Sequence, residues 1–297
     1  MTSLIVYWAY ALAWQITRLL PESWAYGLAS RIADRIYKKN GKQIGRLRSN
    51  YARIHPGLIS AELEMLVQEG MRSYLRYWCD TFRFPNWSKE QIISSVVVEN
   101  EEFLRDPIKE GRGCIVSLPH AGNWDHAGAY FCATGIPLTT VAEHLDPEKL
   151  FRKFLDYRQR IGMEVLDLDS RVIATLAQRL RAGKLVALVA DRDLSKSGVA
   201  VSFGGGPARM PAGPAILSLQ TGAPLITAFV KYEKRGIRII FEGEVPIPQT
   251  GTQTEKIAAM TQICADRFAQ RIAENTSDWH MLQRIWVDGD FQDRVEA

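Results

Sequence analysis

The 297-residue sequence predicts an α/β fold, a central and mostly parallel sheet flanked by helices, with an amino-terminal helical layer. Three observations carry this reading. Residues 1–93 show helical periodicity with few β-branched runs. From Cys114 onward, short apolar strands alternate with helices, the pattern of a helix-flanked parallel sheet. The helices in that alternation also have recognisable ends. With 46% hydrophobic and 24% charged residues the chain can bury a full core. It is read as one domain, with residues 1–93 as the helical layer and 94–297 as the α/β body.

The first element is an apolar run from Leu4 to Trp14 that contains Tyr7, Trp8, Tyr10 and Trp14. It is too short to span a bilayer, which takes roughly 20 apolar residues, because Gln15 and Arg18 interrupt it. No Lys or Arg precedes it, so it matches a secretory signal poorly, although Ala9-Tyr10-Ala11 resembles a cleavage site. An interfacial helix is expected, with its aromatic rings at headgroup level and Arg18 reaching phosphates. Packing on the protein's own core is the competing reading. Next come Arg31, Arg35, Lys38, Lys39, Lys42, Arg46, Arg48 and Arg53, interrupted only by Asp34, in a chain whose formal net charge is +4. Such a segment is drawn to anionic surfaces. Beside an aromatic apolar run it fits an anionic membrane surface better than nucleic acid, and no nucleic-acid partner is expected. A solvated helix face is the plainer alternative. The segment from Ser60 to Tyr77 places Leu63, Leu66, Val67, Met71, Tyr74 and Leu75 at helical spacing.

The expected strands are Cys114 to Leu118, Leu138 to Ala142, Leu185 to Ala190, Leu225 to Val230 and Ile237 to Phe241. Asp146-Pro147 opens a helix that should stop at Gly162, and Ser170 opens another that should stop at Gly183. The capping-box pattern Thr252 to Glu255 opens a last helix running to about Asn275. Cys79, Cys114, Cys132 and Cys264 are scattered, with neither zinc-ribbon nor disulfide spacing. They are read as small buried hydrophobes in a reduced, cytosolic environment.

The chemistry is expected at Pro119-His120-Ala-Gly-Asn-Trp-Asp125. His120 follows an apolar strand, and α/β sheets bind ligands at the carboxyl ends of their strands. Gly122 permits a tight turn and Asn123 starts a helix, which is expected to bring Asp125 back to the imidazole. A carboxylate on one ring nitrogen leaves the other as a base for a hydroxyl. No GxSxG elbow is present, so the hydroxyl would attack directly. A hydrogen-bonded structural histidine is the alternative. A metal site drawing on His120, Asp125 and His126, with Asp191 and Asp193, fits poorly because no HExxH or cysteine spacing occurs. A second constellation, Ala190-Asp191-Arg192-Asp193-Leu194, ends another strand and precedes Gly204-Gly205-Gly206-Pro207-Ala208-Arg209. Glycines allow close backbone approach to a ligand and Arg209 can meet a phosphate, although a tight surface turn is the plainer reading. Glu143 and Arg158 are expected to pair beside the pocket or to contact an acceptor.

Together, PHAGNWD, AEHLDPEKLFRKFLDYRQRIGMEVL, DRDLS, FGGGPARMPAGPAILSLQTGAPL and DWHMLQRIW resemble the bacterial lipid A acyltransferase-like family in order and spacing over most of the chain. The likeness is strongest to actinobacterial members that acylate phosphatidylinositol mannosides. The resemblance implies an acyl-CoA cosubstrate, usually palmitoyl-CoA, with no other cofactor and no metal. It implies transfer to the 6-hydroxyl of the mannose at the inositol 2-position of a phosphatidylinositol mannoside, by a peripheral enzyme on the cytosolic face of the inner membrane. The family's HxxxxD pair falls on His120 and Asp125, its later acidic residue on Asp191, its helix arginine on Arg158, and Glu143 matches the position before that helix. Relatives favour glutamate where this chain has Asp191, and the shorter side chain is expected to reach His120 through water. A groove between the helical layer and the sheet is expected to take the acyl chain. The alternatives are another acceptor within the family, a noncatalytic lipid-binding relative and, more distantly, a nucleotide-binding enzyme lacking the Walker and dinucleotide fingerprints.

Overall fold

The computed structural model describes residues 12, 14–142, 148–168, 171–193 and 198–288. Helices α1 (Glu22–Lys39), α2 (Lys42–Ile54), α3 (Ser60–Arg83) and α4 (Lys89–Ser94) form the amino-terminal layer. They are followed by β1 (Val96–Glu99), α5 (Glu102–Lys109), β2 (Cys114–Leu118), α6 (Trp124–Ala133), β3 (Leu138–Ala142), α7 (Glu148–Arg160), β4 (Glu164–Asp167) and α8 (Val172–Arg181). The chain continues through β5 (Leu185–Val189), β6 (Val199–Phe203), β7 (Gly206–Met210), α9 (Gly213–Thr221), β8 (Leu225–Tyr232), β9 (Ile237–Glu242) and α10 (Gln253–Glu274).

Seven strands make one sheet in the order β1-β9-β8-β2-β5-β3-β4. All neighbouring pairs are parallel except β8 and β9. β2, buried at all five positions, is central, so the turn that follows it opens at the carboxyl edge of the sheet. Side chains alternate across the pleat. Val116, Leu118, Ala228 and Val230 meet α5 and α6 on one face. Ile115, Val186, Leu225 and Phe229 share the other core with α8, α9, α10 and the amino-terminal layer.

β2 and β3 coincide with their expected spans, β5 stops one residue early, and β8 and β9 run on to Tyr232 and Glu242. β1 and β4 were not expected. Both are four-residue edge strands without a single fully buried position, and their apolar runs, Val96–Val98 and Val165–Leu166, are shorter than that of β5. The glycine triplet turns the β6–β7 hairpin, with Gly204 and Gly205 at φ +50° and +78°. A Cβ on Gly206 would stand 2.6 Å from Trp286 Cδ1, and one on Gly204 3.2 Å from Trp286 Cζ2. What approaches this backbone is therefore the protein's own indole, not a ligand.

The amino-terminal layer is tied to the end of the chain. Gly70 of α3 lets the Tyr51 ring of α2 lie where a Cβ would collide with its hydroxyl at 2.3 Å. Tyr51 Oη then donates to the Trp279 carbonyl at 2.9 Å, and Asn50 Nδ2 donates to the carbonyls of Met281 and Gln283 at 2.7 and 2.9 Å. The basic segment divides. Arg48 and Arg53 form ion pairs with Glu64 and Asp288, while Arg31, Arg35, Lys38, Lys39 and Lys42 are exposed. Most of the apolar run lies outside the described residues. Trp14, at its end, packs on Phe82 at 5.1 Å as the competing reading has it, whereas Leu12, Ile16 and Leu19 are exposed. Cys79, Cys114 and Cys264 are buried, and Cys132 only partly so.

Candidate active site

Pro119 ends β2, and the chain reverses at Gly122, whose φ of +56° and packing against Val230 O, 2.5 Å from a would-be Cβ, admit only glycine. Asn123 then caps α6 by accepting from His126 N at 2.9 Å. The carboxyl-terminal segment closes over this turn. Gly122 N donates to Asp278 O, His280 N donates to His120 O, and Ala121 pairs with Trp279.

His120 is thereby fixed at the carboxyl edge of the sheet, next to the end of β5. Its Nδ1–H donates to Asp191 Oδ1 at 2.5 Å and its backbone N–H to Asp191 Oδ2 at 3.0 Å. Trp279 Nε1 completes the set at 2.9 Å from Oδ2. Asp191 is fully buried, which alone pushes its carboxyl up. The imidazole and the three donors outweigh that and hold it below the usual carboxylate range. An ionised Asp191 on Nδ1 leaves Nε2, which has no partner among the described residues, as the basic nitrogen. The contact is direct, so the expected bridging water is not needed. The separation of the two strand ends is already matched by the shorter side chain.

Asp125 does not take the role expected from its spacing. One residue into α6, it turns from the imidazole and accepts from Arg158 Nε at 2.8 Å, Arg158 Nη2 at 3.3 Å and Tyr77 Oη at 3.0 Å. Trp124 is the α6 residue that meets His120, ring edge to face at 5.5 Å. Arg158 is thus committed to Asp125, whose charge raises its pKa against the opposing effect of burial. Its expected partner Glu143 lies outside the described residues. His126 points away, its ring against Phe84 and Trp87 and its Nε2 3.1 Å from Ser95 Oγ. Among the described residues no three His, Cys, Asp or Glu converge on a metal position.

His120, Trp124, Asp125, Arg158 and Asp193 all line a cavity of about 1100 Å³. Tyr74, Tyr77 and Trp78 of α3 form part of its wall, so it does open between the helical layer and the sheet. Apolar residues between the sheet and α6 line much of it, among them Val116, Leu118, Phe131, Ala187, Val189 and Val230. Gly128 of α6 also lines it, and a Cβ there would stand 2.3 Å from Met163 Cε. Arg209 is half-buried on β7 and does not line the cavity, although its carbonyl accepts from Asp193 N at 2.8 Å. Sequence reasoning about chemistry passed over His280, which also lines the cavity. Burial drives its pKa down to about 3, with the nearby His120 contributing, so it is neutral. Its signal was the adjacent pair Trp279-His280 late in the chain, and a tryptophan beside a histidine does not announce a strand-end partner.

An α/β sheet with a carboxylate-anchored histidine at a strand end, facing a large apolar cavity, suits base-assisted transfer of a lipid-like group. The chain belongs to the bacterial lipid A biosynthesis acyltransferase family, whose model matches residues 1–288. Its relatives include the phosphatidylinositol mannoside acyltransferase of Mycolicibacterium smegmatis, 38% identical over 292 residues that cover 97% of this chain and 93% of that one. The phosphatidylinositol mannoside acyltransferase of Mycobacterium tuberculosis is 39% identical over 285 residues, covering 94% and 88%.

Proposed function

We propose that this protein transfers a fatty acyl group, palmitoyl by expectation, from acyl-CoA to the mannose 6-hydroxyl of a phosphatidylinositol mannoside. The observation that carries the reading is the Nδ1 contact of His120 with the ionised, buried Asp191, which leaves Nε2 open to the cavity. The names of the relatives support the acceptor class. Nε2 takes the hydroxyl proton as the oxygen attacks the thioester carbonyl. Asp191 stabilises the imidazolium, and collapse of the tetrahedral intermediate expels the CoA thiolate, which receives the proton back from Nε2. The acyl chain occupies the apolar part of the cavity between the sheet and α6, where burial contributes roughly 0.8 kcal/mol per methylene. Asp193 and Arg158 contact the acceptor from the cavity wall, and Asp125 acts by positioning Arg158.

The same proposal places the protein at the cytosolic surface of the membrane. No helix among the described residues is long and apolar enough to cross one. Trp24, Leu28 and Ile32 form an exposed apolar stripe on α1 at i, i+4, i+8 spacing, beside the exposed Arg31 and Arg35. To test the reaction, wild type and His120→Ala are incubated with palmitoyl-CoA and phosphatidylinositol dimannoside while free CoA and acylated lipid are followed together. Lipid product from wild type that is lost in a folded variant is expected. CoA release without that product, or equal activity in both proteins, would reject the acceptor or the base.

A further inference from the structure

We infer that Arg46 binds a phosphate at the mouth of the cavity, a site that rests on the acyl-transfer reading for the identity of its ligand. Arg46 lies in the middle of α2 and lines the same cavity as His120, together with Gln43 and Gln283. It makes no hydrogen bond or ion pair with any described residue, and its Nε is shielded from solvent with no partner. Gln283 Oε1 is in the same condition. Its neighbours differ: Arg48 is paired with Glu64, Arg53 with Asp288, and Arg158 across the cavity with Asp125. A shielded guanidinium N–H without an acceptor is unfavourable, so an anion that accepts from Arg46 Nε would be stabilised there.

The position is also rigid. Asn50, one turn further along the same face of α2, clamps the carbonyls of Met281 and Gln283, so Arg46 and the 281–283 segment share one register. A guanidinium offers only donors, in a planar fork that matches phosphate oxygens. Both proposed substrates carry phosphate, the donor in its nucleotide and the acceptor in its phosphodiester. Reach favours the acceptor. His280 N is bonded to His120 O, and Gln283 is three residues further along, so its Cα lies within about 11 Å of the Cα of His280. A hexose joined to an inositol phosphodiester spans a comparable length, whereas a pantetheine arm is longer.

The test uses the full chain as wild type, Arg46→Gln and Arg46→Lys, with melting temperatures compared first and the lysine variant standing in if the glutamine one does not fold. Binding of three soluble probes is measured by calorimetry: glycerophosphoinositol mannoside, methyl mannoside and CoA. We expect Arg46→Gln to weaken the phosphodiester probe tenfold or more, to leave methyl mannoside and CoA within twofold, and Arg46→Lys to lose less. A loss confined to CoA would keep the phosphate site and transfer it to the donor. Equal binding by wild type and Arg46→Gln, or no binding of either phosphate probe by wild type, overturns the proposal. Turnover is not part of the readout, so a wild type that binds without transferring acyl groups rejects the reaction and leaves Arg46 standing.

Discussion

Asp125 and Asp191 are both buried, but their neighbours make them fail differently. Asp191→Asn keeps the shape and removes the charge that steadies the imidazolium, so kcat should drop roughly 10²- to 10⁴-fold with a smaller effect on stability. Asp125→Asn leaves Arg158 buried without its anion and should cost roughly 3–5 kcal/mol in urea denaturation. A stability loss larger for Asp191→Asn than for Asp125→Asn would reverse these roles. A second prediction concerns acid. Burial depresses His126 to about 4 and His280 to about 3, against the usual 6.5. Below pH 6.5 the unfolded chain takes up those protons while the native chain does not. Stability should therefore fall as pH drops from 6.5 towards 4, by up to roughly 1.4 kcal/mol per pH unit for each histidine. Asp80 and Asp278, raised by burial, act in the opposite sense, so the informative comparison is His126→Gln. Its denaturation midpoint should depend less steeply on pH over that window, and an unchanged slope would exclude His126 as a source. At this scale the position of His120 was legible because an apolar strand followed by Pro119-His120 marks a sheet edge. Its partner was not, because HxxxxD spacing reports on one turn and is blind to which other strand end faces it. Asp191 reads as lying at another strand end, but its place beside His120 comes from family likeness alone.

Among the elements, legibility followed burial. β2 and β3 announce themselves as five-residue runs rich in apolar residues, whereas β1 and β4 sit at the edges with only Val96–Val98 and Val165–Leu166 to mark them. The glycines of the β6–β7 turn show that something comes close, and only the fold shows that it is Trp286. For α1 the pattern was legible as basic, but its apolar stripe was not singled out, because Trp24, Leu28 and Ile32 look like core positions until α3 is seen to cover the other side. Trp24 is 69% exposed, against 39% for Leu28 and 38% for Ile32, so Trp24→Ser removes mostly exposed apolar area. It should leave the melting temperature within about 1–2 °C, as expected for a surface change within ±0.5 kcal/mol, and weaken flotation with vesicles containing anionic lipid. Undiminished flotation would move the membrane contact off Trp24.

On the scale of the whole molecule, the first fifth and last tenth of the chain are fastened to each other around the site. Asn50→Ala would leave the Met281 and Gln283 carbonyls unpaired and should cost about 1–3 kcal/mol. It should also raise KM more than it lowers kcat, since the imidazole–Asp191 contact is untouched; an unaltered KM would argue against the clamp. The clamp bears on how the protein is made. Residues 278–280 supply the indole that steadies Asp191 and the backbone that seals the turn after His120, and they follow β1 to β9 in the chain. A nascent chain can assemble its central strands, but these contacts reach back 88 residues to Asp191, and the clamp reaches back 231 residues to Asn50, so both form only after residues 278–283 have been made. The reactive centre is therefore completed after its own scaffold, and a chain lacking residues 278–280 would lose the indole and the backbone contact that hold Asp191 and His120 in place.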